Sequence, residues 1–317
     1  MLGSPARLAR YTARRLGQAV IVLFGVSIAA FAMLHIAPGD PVREMLGVRA
    51  TPVAVQHVRS ELGLDRSLPS QYLSFVGHAL QGNLGTSIFQ QTSVAGLIGA
   101  HALVSLELAV YSSVISVLLA LPLAIWSAVR RNRLADHAIR LATVTTFAMP
   151  PFWLGLILIL VFSVQLGVFA PSGYGQGFAG HLENLTLPAL TLALGLAPLL
   201  LRTLRTSMIE TMRTDFVEAA VARGLSWRQV MLHYIVRNSL ISSVTVLGVN
   251  FGYMVGGVVV VENVYALPGL GSMLVTGVQN RDFPLVQGLV LAFAIVIILI
   301  NLATDLAYAL IDPRVRL

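Results

Sequence analysis

Six apolar runs constrain this chain more than any other feature. They fall at about Leu16–Ile36, His101–Val129, Thr143–Phe169, Leu187–Leu201, Leu240–Val261 and Leu285–Leu310. Inside hydrocarbon no water is present to bond backbone amides, so such runs must satisfy themselves as helices. A helix needs roughly 20 apolar residues to cross, and most of these runs reach that length. A hydrophobic share of 56% against 11% charged residues, with a mean hydropathy of +0.80, lies well outside the soluble range. The sequence therefore predicts an all-α polytopic membrane protein with six transmembrane helices. The fourth is expected to continue helically through Arg202 and Arg205. The first follows Arg7, Arg10, Arg14 and Arg15. A signal peptide would have a shorter apolar core and a small-residue cleavage site, so a retained helix is expected.

Arginine placement sets the orientation. If the N-terminus is cytoplasmic, 16 arginines fall inside and 5 outside. The positive-inside rule then places both termini in the cytoplasm. The resulting segments are a cytoplasmic N-terminus (1–15), a first span (16–36), an external loop (37–100), a core with the other five spans (101–311) and a cytoplasmic tail (312–317). Within the core, 207–239 is a cytoplasmic loop.

All 21 basic residues are arginine, and that excludes some chemistry. A P-loop needs a lysine on the nucleotide phosphates, and Schiff-base catalysis needs a lysine amine. Without cysteine there are neither disulfides nor thiolate metal sites. The seven histidines lack metal-ligand spacing, and no nucleophile–base constellation appears. The net charge of +7 sits at the ends of apolar runs, which argues against nucleic-acid binding.

The external loop reads as ordered. Thr51 can cap a helix with Pro52 at its first position and Gly63 past its end, with Val55, Val58 and Leu62 on one face. A second amphipathic stretch, Leu68–Leu80, carries Leu73, Val76 and Leu80. These helices either cover the outer mouth or pack against the spans. Pro122, Pro150, Pro151, Pro188 and Pro198 imply kinks or boundaries.

The cytoplasmic loop carries the strongest local pattern. Asp215 can cap a helix with Glu218 in capping-box register, and Phe216, Val217, Ala220 and Val221 form an apolar stripe. Gly224 can close that helix in the left-handed region. Ser226 and Gln229 set up a second capping box, after which Val230, Met231 and Tyr234 continue the apolar face. Ala219, Ala220 and Ala222 keep the surface low. Such a helix–turn–helix either docks into a protein groove or lies on the inner leaflet with Arg223, Arg228 and Arg237 on lipid phosphates.

Glu218-Ala219-Ala220, three residues and then Gly224 resemble the core of the coupling (EAA) loop of ABC importer permeases. Tyr234-Ile235-Val236-Arg237 departs from the Ile-x-Leu-Pro that usually follows. Further stretches resemble the B-type permease subunit of dipeptide/oligopeptide importers. They are Arg14-Arg15-Leu16, Ala37–Pro41, Leu62–Asp65 with Gln71-Tyr72, Gly82–Gly85, Glu262–Gly271, Arg281–Pro284 and Ile311–Arg314. The resemblance implies the type I importer permease fold, paired with a related C-type permease in a heterodimer. It also implies two cytoplasmic ATPases that use ATP and Mg2+, and an external binding protein. This chain would bind no cofactor or metal of its own. Asp215, Glu218, Ala219, Ala220, Gly224, Ser226 and Arg228 would then seat in the ATPase. The cargo would be a peptide, or alternatively a nickel complex, glutathione or another small solute.

Within the fifth run, Gly248, Gly252 and Gly256 form a doubled G-x-x-x-G stripe for close helix packing, inside the chain or with a partner. Asn250, Tyr253 and Glu262 are candidate pathway residues. Glu107 and Asp305 fall within spans, where a carboxylate costs about 2.5–3.5 kcal/mol on insertion scales; structural roles are expected for both. Readings from other classes are a stand-alone ion-coupled transporter, which predicts repeated halves and mid-membrane acids, and a membrane enzyme.

Overall fold

The computed structural model describes residues 5–36, 42–43, 50–61 and 64–311; the side chains of 5–11, 34–35, 54, 58, 61, 241–247, 249–251, 253 and 306–311 lie outside that description. The motif at 37–41, the pair Leu62-Gly63 and the end of the 311–314 motif therefore fall outside it, as does Val58. Among the described residues every regular element is helical, with a single isolated bridge between Thr86 and Ser93.

In chain order the helices are α1 (Pro5–Ile36), α2 (Pro52–Glu61), α3 (Leu68–Leu80), α4 (Val94–Val129), α5 (Leu134–Ala148) and α6 (Pro151–Leu158). They continue with α7 (Gly177–Thr211), α8 (Asp215–Ala222), α9 (Trp227–Gln229), α10 (Arg237–Val264), α11 (Leu270–Gln279) and α12 (Phe283–Ile311). Wider π-turns extend α6 through Ile159–Gln165 and join α9 to α10 through Val230–Val236. Among the described residues, four helices are long and apolar enough to cross a membrane, or five if α5 and α6 count as one broken span. The fifth run does form one helix, α10, though many of its side chains lie outside the description.

The third and fourth runs differ most from the sequence expectation; the helices of the first and second also begin earlier than expected, at Pro5 and Val94. Thr143–Phe169 is not one helix: α5 and α6 are bent by 107° at Met149-Pro150. Both residues there are extended, with ψ of 131° and 138°, because each precedes a proline whose ring excludes the helical region. Pro151 then opens α6 at a position where its missing N–H costs nothing. The fourth run begins well before Leu187, at Gly177, and keeps both Pro188 and Pro198 inside a helix of 35 residues. That helix does pass through Arg202 and Arg205. Its rise of about 52 Å exceeds a hydrocarbon core of about 30 Å.

The chain divides into two compact units, 1–8 with 104–268 and 299–317, and 9–103 with 269–298. In the first, Ala120, Ala124 and Ala128 of α4 sit one turn apart and fully or almost fully buried. Their small side chains let α4 approach Leu200, Leu204 and Met208 of α7 closely. A second cluster gathers Leu108, Leu185, Leu187, Val261 and Tyr265.

In the other unit, Val94, Leu97, Leu270, Met273, Leu285 and Leu289 form the core. Gly288 is required there, because a Cβ would meet Val94 at 2.5 Å. Asp282 is fully buried and caps α12, accepting from Ser87 Oγ at 2.5 Å, Phe89 N at 3.1 Å and Leu285 N at 3.3 Å. Helix α3 packs on α1 through Tyr72, whose ring meets Phe24 and Phe31 at 6.2 and 5.5 Å and whose hydroxyl bonds Ser27 at 2.8 Å. The packing face is thus Tyr72 and Phe75. Leu73 and Leu80, expected on it, are exposed, since the face lies one residue off the simple apolar count.

Candidate docking loop and its base

Thr211–Ser239 builds the loop from local hydrogen bonds. Helix α7 ends at Thr211, and Thr214 rather than Asp215 is the N-cap of α8, with no side-chain cap bond. Asp215 and Glu218 therefore fall in the first turn as favourable charges at the positive helix end; the capping box expected between them does not form. The end of α8 follows the sequence closely. Gly224 takes φ of 77°, its N–H reaches Val221 O at 2.9 Å, and Leu225 N reaches Ala220 O at 3.4 Å. That pair of bonds is a Schellman closure. Ser226 and Gln229 complete the second capping box, with bonds of 3.4 Å and 3.2 Å between backbone N–H and side chain. Where the usual pattern has a proline, this chain has Arg237, and the π-turn runs into α10 without a break.

Only part of the expected apolar stripe is buried. Val217 and Ala220 sit against Met208, Val230 and Ile235, whereas Phe216 and Val221 are about half exposed. Val230 and Met231 are buried and Tyr234 partly so. Asp215, Glu218, Ala219, Gly224, Ser226 and Arg228 are all exposed. Ala220 does not join them; it is an anchor. Trp227, which no sequence motif singles out, stands 51% exposed between Phe216 and Leu232 in chain order. Exposed aromatics mixed with Glu218, Arg223 and Arg228 make a surface of the composition that protein interfaces favour.

Below the loop lies a buried polar node that the sequence did not disclose. Asp136 of α5, fully buried, accepts from Arg205 of α7 at 2.8 Å (Nε) and 2.7 Å (Nη2). Ser127 Oγ of α4 donates at 2.5 Å, and Asn132 N donates at 2.9 Å from a turn with φ of 62°. Arg140 adds a longer ion pair at 3.8 Å. Asp136 thus ties three helices at one point. The available signal was its position as the single acid among the arginines of 130–140.

The remaining candidates separate. Gly248 is buried where a Cβ would overlap the Thr304 side chain, a contact within the chain. Among the described residues nothing lies within 4 Å of such a Cβ at Gly252 or Gly256, and Gly257 rather than these faces Leu192 closely. The three glycines therefore do not share one neighbour. Glu262, expected along a pathway, is instead fully buried and accepts from Ser105 Oγ at 2.5 Å. A carboxylate inside the protein needs such a donor, and in this conformation it lines no open surface. The side chains of Asn250 and Tyr253 lie outside the described residues. Glu107 is held by Tyr174, whose hydroxyl donates at 2.5 Å, and by His181 at 3.6 Å; the two rings stack at 3.9 Å. Burial and the bond to Glu107 push the Tyr174 hydroxyl up to about 12. Asp305 is half-buried.

The family of binding-protein-dependent transport system inner membrane components matches residues 120–317, and its N-terminal segment matches 8–98. A probable peptide ABC transporter permease of Sinorhizobium fredii is 35% identical over 96% of this chain and 99% of its own. A glutathione transport system permease of Escherichia coli is 37% identical over 96% and 98% respectively. Among solved structures, the MetNI methionine ABC transporter in an inward-facing conformation shares the fold. Its TM-score is 0.58 at 18% identity, covering 68% of this chain and 96% of that one. These matches set aside the stand-alone transporter. The chain belongs to the binding-protein-dependent transport system inner membrane components, the multi-pass permease subunits of ABC importers.

Proposed function

We propose that this chain forms half of the pathway by which di- or oligopeptides, delivered by an external binding protein, cross the inner membrane. The relative named a peptide permease, matched over nearly the whole chain, carries this reading. The other half is a related C-type permease, and Gly252 and Gly256, open in this chain, suit its close approach. Six spans with both termini in the cytoplasm place the 207–239 loop on the ATPase side. There Asp215, Glu218, Ala219, Gly224, Ser226 and Arg228 present one exposed surface to the ATPase. Ala220 holds α8 to its base. ATP and Mg2+ belong to the partner subunits, since a chain without lysine has no P-loop.

Glutathione is the second reading, favoured by the 37% identical relative named for that cargo. The test is the reconstituted importer with its binding protein, assayed for ATP hydrolysis stimulated by peptides and by glutathione. Stimulation by peptides is expected; stimulation by glutathione alone overturns the peptide assignment. Glu218→Lys is expected to leave insertion intact while abolishing the link between ATP hydrolysis and uptake. Normal coupling in that variant would remove Glu218 from the docking surface.

A further inference from the structure

Two clefts lie between α5 and α7, and they share Phe147 and Leu199. One, of about 280 Å³, is lined by Met149, Thr191, Leu196 and Met254 among others. The second, of about 470 Å³, is lined by Arg140, Thr143, Pro198, Arg202, Arg205 and Thr206. The bend at Met149-Pro150 turns α6 away and leaves this face of α5 open beside α7. The second cleft lies at the end of α7 that leads into the docking loop.

The clefts differ in chemistry. The walls of the first are apolar, with two methionines whose flexible thioethers adapt to varied shapes. The threonine hydroxyls along both are already committed. Thr143 and Thr146 donate to carbonyls of α5, Thr191 to Leu187 O and Thr206 to Arg202 O. The walls therefore offer little to read a side chain by. Charge is the exception. Three guanidiniums, Arg140, Arg202 and Arg205, line the second cleft, and the carboxylate of Asp136 pairs with two of them, Arg205 and Arg140. Arg205 is consumed by that carboxylate, and Arg140 also donates to His137 Nδ1 at 2.6 Å. Arg202 is exposed and has no acceptor among the described residues.

We propose that this joined groove is a substrate-binding wall of the pathway, with Arg202 and Arg140 receiving the free carboxylate of a translocating peptide at the groove's loop-side end. The proposal rests on the reading of this chain as a peptide permease half. It identifies a tolerant apolar wall for side chains and a fixed cationic end for the one group that every unmodified peptide carries. A planar guanidinium without a partner matches a carboxylate in two hydrogen bonds.

The test uses the whole importer in proteoliposomes. Because the chain has no cysteine, Thr206→Cys places a single thiol in the cleft, read by the mass of this subunit. An anionic thiosulfonate is expected to label it about tenfold faster than a cationic one, and Arg202→Gln to bring that ratio near one. Peptide under ATP-driven uptake is expected to slow labelling about fivefold by occupying the cleft. Absence of labelling, or labelling that peptide does not slow while uptake proceeds, overturns the proposal. In uptake itself, Arg202→Gln is expected to slow a free-carboxylate peptide about fivefold and its amidated counterpart less than about twofold, each against wild type. An equal loss for both assigns Arg202 a structural role and overturns the carboxylate site. If the wild-type importer carries glutathione and no peptide, the cargo reading falls. The same labelling with S-methylglutathione, which keeps the carboxylates but has no thiol to consume the reagent, then decides the cleft separately.

Discussion

Asp136→Ala removes the acceptor at the centre of the node beneath the docking loop. Four hydrogen bonds converge on that carboxylate: two from Arg205, one from Ser127 and one from the Asn132 amide. Adding net values of about 1.5–3 kcal/mol per charged bond would overstate the loss, because the pair also carries the cost of its own desolvation. The better guide is the cost of breaking a buried pair from one side, about 3–5 kcal/mol. Arg205 is 15% exposed and can regain some water, which places the loss near the lower end, about 3 kcal/mol. At roughly 2–4 °C per kcal/mol for chains of this order of size, the thermal midpoint in detergent should fall by about 6–12 °C. Asp136→Ala combined with Arg205→Met removes the stranded charge and should recover at least half of that drop. Thermal unfolding followed by tryptophan fluorescence measures both. A midpoint unchanged within about 2 °C in the single variant, or no recovery in the double variant, would refute the view that this node is a stabilising tie.

Three other outcomes follow from the same geometry. Gly248→Ala drives a methyl group into Thr304, so it should destabilise by about 1–3 kcal/mol, and Thr304→Ala should restore the loss in a thermal-shift cycle. Gly224→Ala meets no atom within 4 Å but must hold φ of 77°, so a loss of only about 1 kcal/mol is expected, from backbone strain alone; a loss above about 3 kcal/mol would point to a contact at that position. Tyr174 is raised from 10.0 to about 12 in the folded state. Its contribution is complete below pH 10 and lost as pH rises toward 12. Ultraviolet titration of wild type against Tyr174→Phe should show one phenol missing from the high-pH end.

Much of the loop is legible in the amino-acid sequence, and what is not shares a cause. Gly224 and the Ser226–Gln229 box are decided within a few residues, by backbone freedom and by a side chain that reaches its own amides. Sequence spacing therefore predicts them. Thr214 displaces Asp215 as the cap because the turn from α7 already fixes its backbone at ψ of 147°, and tertiary geometry outranks cap preference. The break at Met149-Pro150 is signalled by its two prolines, yet apolarity alone cannot distinguish a bend of 107° from a kink. Asp136–Arg205 is not legible, since the partners lie 69 positions apart and charge near a span end reads as orientation. Glu262 fails for the related reason that a buried acceptor and a pathway acid look alike until its donor, Ser105, is found.

The loop packs on α7, one of the three helices that the node ties together, and this bears on how force at the loop is passed on. Val217 and Ala220 of α8 are packed against α7 and the π-turn before α10 with almost no exposed surface. Close-packed side chains do not compress; they move together or repack. A load on the exposed residues around Glu218 therefore reaches α7 directly. Arg205 lies less than two turns before the end of α7 at Thr211 and carries that load to α4 through Ser127 and to α5 through Asp136. Helix α5 in turn ends at the Met149-Pro150 break, where two residues held extended by proline supply a corner rather than a continuous rod. Movement of α5 with α7 would preserve the groove between them, whereas loss of the node would let α5 turn about that corner. The two outcomes differ in an observable way. In the Asp136→Ala, Arg205→Met variant, ATP hydrolysis should persist with the loop intact, while uptake falls because α5 no longer follows α7. Full uptake in that variant would mean that packing alone carries the load.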